Sequence, residues 1–129
     1  MNIPETLIEY GFTRIECGRI MQLCDQANYR KAIRNAKHRI NQGGVYAITA
    51  VCENGNVIPF YIGSSKNIRA RLSTNNVEYV ALSQGYTNIK AYFKIDKEYT
   101  FTESFMIETL RPVFNCNQPW RPKDFTITI

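Results

Sequence analysis

The sequence predicts an α+β fold: a small antiparallel three-stranded sheet flanked by helices, preceded by an N-terminal basic helical extension. Three observations carry this. Two runs rich in β-branched and aromatic residues, "VYAITAV" and "VIPFYIG", flank "ENGN", whose Asn-Gly pair is a strong hairpin signal. A third run, "NIKAYFKI", alternates, with Ile89, Ala91, Phe93 and Ile95 on one face. Around these runs lie segments of helical spacing, giving the order helix, β, β, helix, helix, β, helix.

Along the chain, Pro4 to Tyr10 forms one or two helical turns stopped by Gly11. From Asp25, an N-cap candidate, "QANYRKAIRNAKHRI" places Tyr29, Ile33, Ala36 and Ile40 at helical spacing, with cations on the other faces, and "NQGG" ends it. The hairpin follows, and Pro59 in its second run marks an edge position or a bulge. Ser64 or Ser65 caps a helix through "KNIRARLS", and a second helical piece covers about Asn76 to Leu82 before Gly85. After the third strand, "TFTESFMIETL" reads as an amphipathic helix with Phe101, Phe105, Met106 and Leu110 as its apolar stripe, stopped at Arg111-Pro112. The remainder, "VFNCNQPWRPKDFTITI", reads as mostly extended with room for a last strand.

At 129 residues the chain has the size of one domain. The expected division is a helical extension over 1–43, a core over 44–117 and a tail over 118–129. No run approaches a membrane span, and the acidic start "MNIPETLIEYGF" is unlike a secretory signal, so a cytoplasmic location is expected. Cys17, Cys24, Cys52 and Cys116 lack C-x-x-C spacing, and His38 is the sole histidine, so reduced, buried thiols are expected rather than a zinc site or disulfides. The net charge is +5, and its distribution is uneven. Between Ala27 and Arg71 stand Arg30, Lys31, Arg34, Lys37, Arg39, Lys66, Arg69 and Arg71 against Glu53 alone. A basic stripe on an otherwise balanced chain points to a polyanion such as nucleic acid, and its plain alternative is a solvated face.

The stretch "GGVYAITAVCENGNVIPFYIGSSKNIRAR" resembles the GIY-YIG nuclease family. Gly44-Val45-Tyr46 stands for the first tripeptide, with valine for isoleucine, and Tyr61-Ile62-Gly63 for the second. The family's arginine falls at Arg71 on the following helix. Its later glutamate, proline and asparagine fall at Glu103, Pro112 and Asn115 in "ESFMIETLRPVFN". The match runs from Gly44 to about Asn117. One departure is that some members carry a histidine or tyrosine just after the arginine helix, where this chain has "STNN".

The resemblance implies a Mg²⁺-dependent DNA endonuclease, with Mn²⁺ as a substitute, of the standalone restriction, phage or mobile-element kind. Phosphodiester hydrolysis requires an activated water, neutralised phosphate charge and help for the leaving oxygen. Glu103 would hold the cation, and Arg71 would clamp phosphate oxygens through its planar donors. Tyr46 would receive the water's proton with Tyr61 as its partner, and Lys66 would supply positive charge. Asn115, Gly44 and Gly63 would support the site. The basic stripe, which lies mostly outside the matched stretch, offers Arg30, Lys31, Arg34, Lys37, Arg39 and Arg69 as contacts to DNA phosphates. Cutting a palindrome would call for a homodimer.

Each assignment has a competitor. The tyrosines also suit strand packing, the glycines close backbone packing, and Arg71 a solvated helix face. Thr100-Phe101-Thr102-Glu103 fits a T-x-x-E capping box, which would engage the same carboxylate. The rival functions are a noncatalytic DNA-binding module and an RNA-directed nuclease.

Overall fold

A computed structural model of the chain describes residues 1–15, 33–34, 36, 38–74, 76–118 and 120. Helix α1 (Ile3–Glu9) starts at Asn2, whose Oδ1 accepts from the Glu5 N–H at 3.0 Å, and it buries Ile3 and Leu7. Strand β1 (Thr13–Arg14) follows, then β2 (Gly44–Val51) and β3 (Val57–Ser65). Helices α2 (Ile68–Leu72) and α3 (Val77–Ser83) lead to β4 (Thr87–Ile95), and α4 (Tyr99–Leu110) and α5 (Val113–Cys116) complete the described elements.

The strands form one antiparallel sheet in the order β1-β4-β2-β3. The three expected strands are present, and β1 adds a fourth through Thr13 opposite Phe93 and Arg14 opposite Tyr92. Two residues are too few for an alternating pattern to register in sequence. The hairpin closes where "ENGN" indicates: the Gly55 N–H donates to the Cys52 carbonyl, and Gly55 takes a φ of 85°.

Strand β2 is central and buried from Gly44 to Ala50, because the sheet is covered on both faces. On one face Val45, Ala47, Ile62 and Tyr92 pack with Ile3 and Leu7 of α1 and Met106 and Leu110 of α4. On the other, Tyr46, Ile48, Ala50 and Phe60 pack with Ile68 and Leu72 of α2, Ala81 of α3, and Ile33, Ala36 and Ile40. The described members of the apolar stripe expected at 29–40 are thus in the core. Each fully buried aliphatic side chain contributes about 1.5–3 kcal/mol of transfer free energy.

Four expectations are corrected. The helix expected to run from Asp25 to Ile40 does not reach its end, since Ala36, His38, Arg39 and Ile40 are not helical. The four apolar residues of α4 do not share a stripe: Met106 and Leu110 are 1% and 2% exposed, but Phe101 and Phe105 are 72% and 45% exposed. Phe101 and Met106 lie five positions apart, roughly 140° around the helix, so only one of the two i,i+4 pairs can face the sheet. The stretch after Pro112 is helical over Val113–Cys116, because Arg111 at φ 52° turns the chain out of α4 and Pro112 restarts it. The cap of α2 is Asn67, whose Oδ1 accepts from the Ala70 N–H at 3.1 Å, not Ser64 or Ser65. The last strand looked for within 121–129 lies outside the described residues. No described helix is long and apolar enough to cross a membrane.

Candidate active site at the end of strand β3

A bulge in the hairpin sets the geometry. Ile48 pairs with Tyr61 and Thr49 with Pro59, which leaves Phe60 as the extra residue of β3. Pro59 therefore sits at a bulge on an edge strand, as its missing N–H favours. Phe60 and Tyr61 consequently both lie against the Tyr46 face, while Ile62 falls on the α4 face. The bulge is what aims Tyr61 at Tyr46: their ring centroids are 5.9 Å apart. Phe114 of α5 closes on Tyr61 edge-on, at 5.4 Å and 82°.

Tyr46 is buried, and it pairs directly with Gly63. A Cβ added at Gly63 would stand 2.5 Å from Tyr46 Oη and 2.8 Å from Tyr61 Cε2. The phenol thus crosses the strand through space that only glycine leaves open. Gly44 is equally tight: a Cβ there would run into the Lys94 carbonyl and lie 2.8 Å from Ile68 Cδ1. Both glycines are positions of close approach.

Glu103 is engaged from the other face. Ser64 Oγ–H donates to Glu103 Oε1 at 2.9 Å, linking β3 to α4. The capping-box use of this carboxylate is not realised, because α4 begins at Tyr99, ahead of Thr100. Asp96 serves the helix start instead: Oδ1 accepts from the Glu98 N–H at 2.8 Å and Oδ2 from Thr102 Oγ1 at 2.5 Å. These two bonds, the Thr102 hydroxyl first, hold the Asp96 carboxyl below its ordinary value of 3.8. Glu103 is thereby released from local duty and reaches the strand.

Asn115 acts on the same strand. Its Oδ1 accepts from the Ile62 N–H at 2.8 Å, and its Nδ2 donates to the Ile62 carbonyl at 2.9 Å. On an edge strand these two main-chain groups face away from β2, and the amide satisfies both.

Four consecutive residues of β3 each engage a member of the expected set, from both faces and the edge of the strand: Tyr61 itself, Ile62 with Asn115, Gly63 under the Tyr46 phenol, and Ser64 with Glu103. The strand then turns into α2, which carries Arg71, exposed and with no side-chain partner among the described residues. Lys66 is exposed in the turn between them.

The cations divide. Arg69, expected at phosphate, points inward: Nη1 donates to the Ile33 and Arg34 carbonyls at 2.8 Å each, and Nη2 to Ala36 and His38 at 3.0 and 2.7 Å. The main chain supports this, since the Ile68 and Arg69 N–H groups donate to the Gln42 and Ile40 carbonyls. Ile33, Arg34, Ala36, His38, Ile40 and Gln42 thus form the bed on which the Arg71 helix lies. Arg34 and Arg39 are exposed, and Arg30, Lys31 and Lys37 lie outside the described residues.

Among the described residues no group of three or more histidine, cysteine, aspartate or glutamate side chains is arranged to hold a metal. Glu103 offers one carboxylate, which suits a cation that keeps several waters and shares substrate phosphate oxygens, as Mg²⁺ does, better than a closed protein cage. Cys52 and Cys116 are free thiols, as expected, but half-buried rather than buried, and desolvation pushes the Cys52 thiol up; Cys17 and Cys24 lie outside the described residues.

Sequence reasoning missed three of these parts. Ser64 and Ile62 are invisible as partners because they act through residues far away in the chain, whereas Asp96, just ahead of the helix, was open to recognition as a cap. Comparison of the chain with protein-family models, with curated proteins and with solved structures finds no match in any of the three.

Proposed function

We propose that this chain is a divalent-metal-dependent DNA endonuclease of the GIY-YIG kind. The observation that supports it most is that consecutive residues at one strand end hold the Tyr46 phenol, over Gly63, and the Glu103 carboxylate, on Ser64.

In this reading Arg71 receives the scissile phosphate. Its guanidinium offers planar donors to two oxygens and stabilises the charge that grows as the nucleophile adds. Tyr46 accepts the proton of the attacking water. A phenol, with an ordinary pKa near 10, needs positive charge close by to do so near neutrality, and Lys66 and Arg71 would be its sources in this reading. Tyr61, packed between Tyr46 and Phe114, holds the base in place. Glu103 would hold Mg²⁺, which supplies Lewis-acid stabilisation of the leaving oxygen when bound. Of the cations expected at DNA, Arg34 and Arg39 are described and exposed, and they would steer DNA toward the strand end. One centre cuts one strand, so a two-strand cut takes two copies, and a homodimer belongs to the proposal.

The test is incubation of the protein with plasmid, branched and modified DNA and with RNA, in Mg²⁺ and in Mn²⁺, followed by mapping of the cut ends. Cutting of DNA is expected. Retardation of DNA in a gel without cutting under either cation would instead establish a binding module, and cutting of RNA alone would establish the RNA-directed reading.

A further inference from the structure

The hydroxyl of Ser64 is not used where the sequence suggested. The cap of α2 is Asn67, and the neighbouring Ser65 serves that turn, accepting from the Asn67 N–H at 3.0 Å and donating to its carbonyl at 3.0 Å. That leaves Ser64, which donates to a carboxylate 39 residues further along the chain.

We propose that Ser64 is a positioning residue that fixes the Glu103 carboxylate for cation binding. This inference rests on the endonuclease reading above. The backbone under Glu103 is already fixed, by Met106 and Leu110 in the core and by Asp96 at the helix start. What remains free is the side chain itself, since a glutamate turns about three bonds and ordering one costs on the order of 1–2 kcal/mol. The Ser64 bond removes that freedom before any ligand arrives. It also assigns the two oxygens: Oε1 accepts from Ser64, and Oε2 is left to face a cation. A single oxygen is the demand of an ion that keeps an octahedral shell of waters and phosphate oxygens. Gly63 and Ser64 then form a functional pair, in which the missing side chain of the first admits the base and the hydroxyl of the second orients the metal-binding acid.

Ser64 touches neither substrate nor cation in this account, so its loss should be felt through the metal. Outer partners of metal ligands change affinity by roughly ten- to a hundred-fold. Ser64→Ala is therefore expected to raise the Mg²⁺ concentration for half-maximal DNA cutting about ten-fold. Its binding of Mn²⁺ alone, read by electron paramagnetic resonance in the absence of DNA, should weaken in parallel. Metal-free DNA binding should match the parent, thermal unfolding should show a folded protein, and Ser64→Thr, which keeps the hydroxyl, should restore the metal response. An unchanged metal requirement and Mn²⁺ affinity in Ser64→Ala overturns the inference. So does a loss of cutting that no metal concentration restores, since that is the behaviour of a reacting group. If the parent protein itself neither cuts DNA nor binds Mn²⁺, the endonuclease reading falls, and the inference with it.

Discussion

The side-chain amide of Asn115 closes both outward main-chain groups of Ile62, accepting from its N–H at 2.8 Å and donating to its carbonyl at 2.9 Å. A turn of helix thereby stands in for a missing strand at the sheet edge that carries the site. Asn115→Ala leaves a half-buried donor and acceptor unmet, at about 1–3 kcal/mol. Asn115→Asp keeps only the acceptor and sets a charge against the Ile62 carbonyl. Both variants are expected to shift urea unfolding to lower midpoints with an unchanged slope.

Gly63 allows the Tyr46 phenol to cross the strand. Gly63→Ala forces the ring or the strand aside, at about 1–3 kcal/mol of overpacking. Because the displaced group is the proposed base, cutting should fall at least as far as in Tyr46→Phe. A Gly63→Ala protein with parental cutting rates would remove the phenol from the mechanism.

Two arginines of one short helix should behave in opposite ways. Arg69 is bonded to the carbonyls of Ile33, Arg34, Ala36 and His38, so Arg69→Ala strands those acceptors, and a loss of about 3 kcal/mol is expected. Arg69→Lys should not recover it, since an ammonium cannot span the same fork. Arg71→Ala should leave stability within about 0.5 kcal/mol, because the side chain is exposed, while abolishing cutting. Unfolding midpoints and cutting rates measured on the same preparations separate the two.

The two stripes of α4 make a stability contrast. Met106→Ala or Leu110→Ala opens a cavity in the core and should cost about 2–5 kcal/mol. Phe101→Ser, at a residue 72% exposed, should stay within about 0.5 kcal/mol. Chemical denaturation of the three variants tests it.

Asp96 gives a pH signature. Its folded carboxyl is held below the ordinary value by Thr102 and the Glu98 amide, so its stabilisation is complete above pH about 4 and is lost as the pH falls through the lowered folded value. Asp96→Asn has no proton to take up there. The stability gap between parent and Asp96→Asn should therefore narrow between pH 5 and pH 2, as read from urea midpoints.

Much of this arrangement was legible because the relevant signals are local. The Asn-Gly turn announced the hairpin, Pro59 announced the bulge or edge, and the alternation of "NIKAYFKI" announced β4. What escaped was decided at a distance. Periodicity finds Phe101, Phe105, Met106 and Leu110 but cannot choose which pair faces the sheet. The T-x-x-E pattern at Thr100–Glu103 is a real local option, and it lost because Asp96 starts the helix earlier and Ser64 waits across the sheet. Arg69 and Arg71 are near-identical as sequence, and only the carbonyls of Ile33, Arg34, Ala36 and His38 distinguish a structural staple from an exposed cation.

The central claim is that Glu103 and Arg71 cut DNA together from the end of β3. Its most direct test is the conversion of supercoiled plasmid by the parent, Glu103→Ala and Arg71→Ala in Mg²⁺, with unfolding midpoints confirming that all three are folded. Nicking or linearisation by the parent is expected, suppressed by chelation and reduced roughly 10²–10³-fold or more in each variant. Undiminished cutting by the folded variants would contradict it.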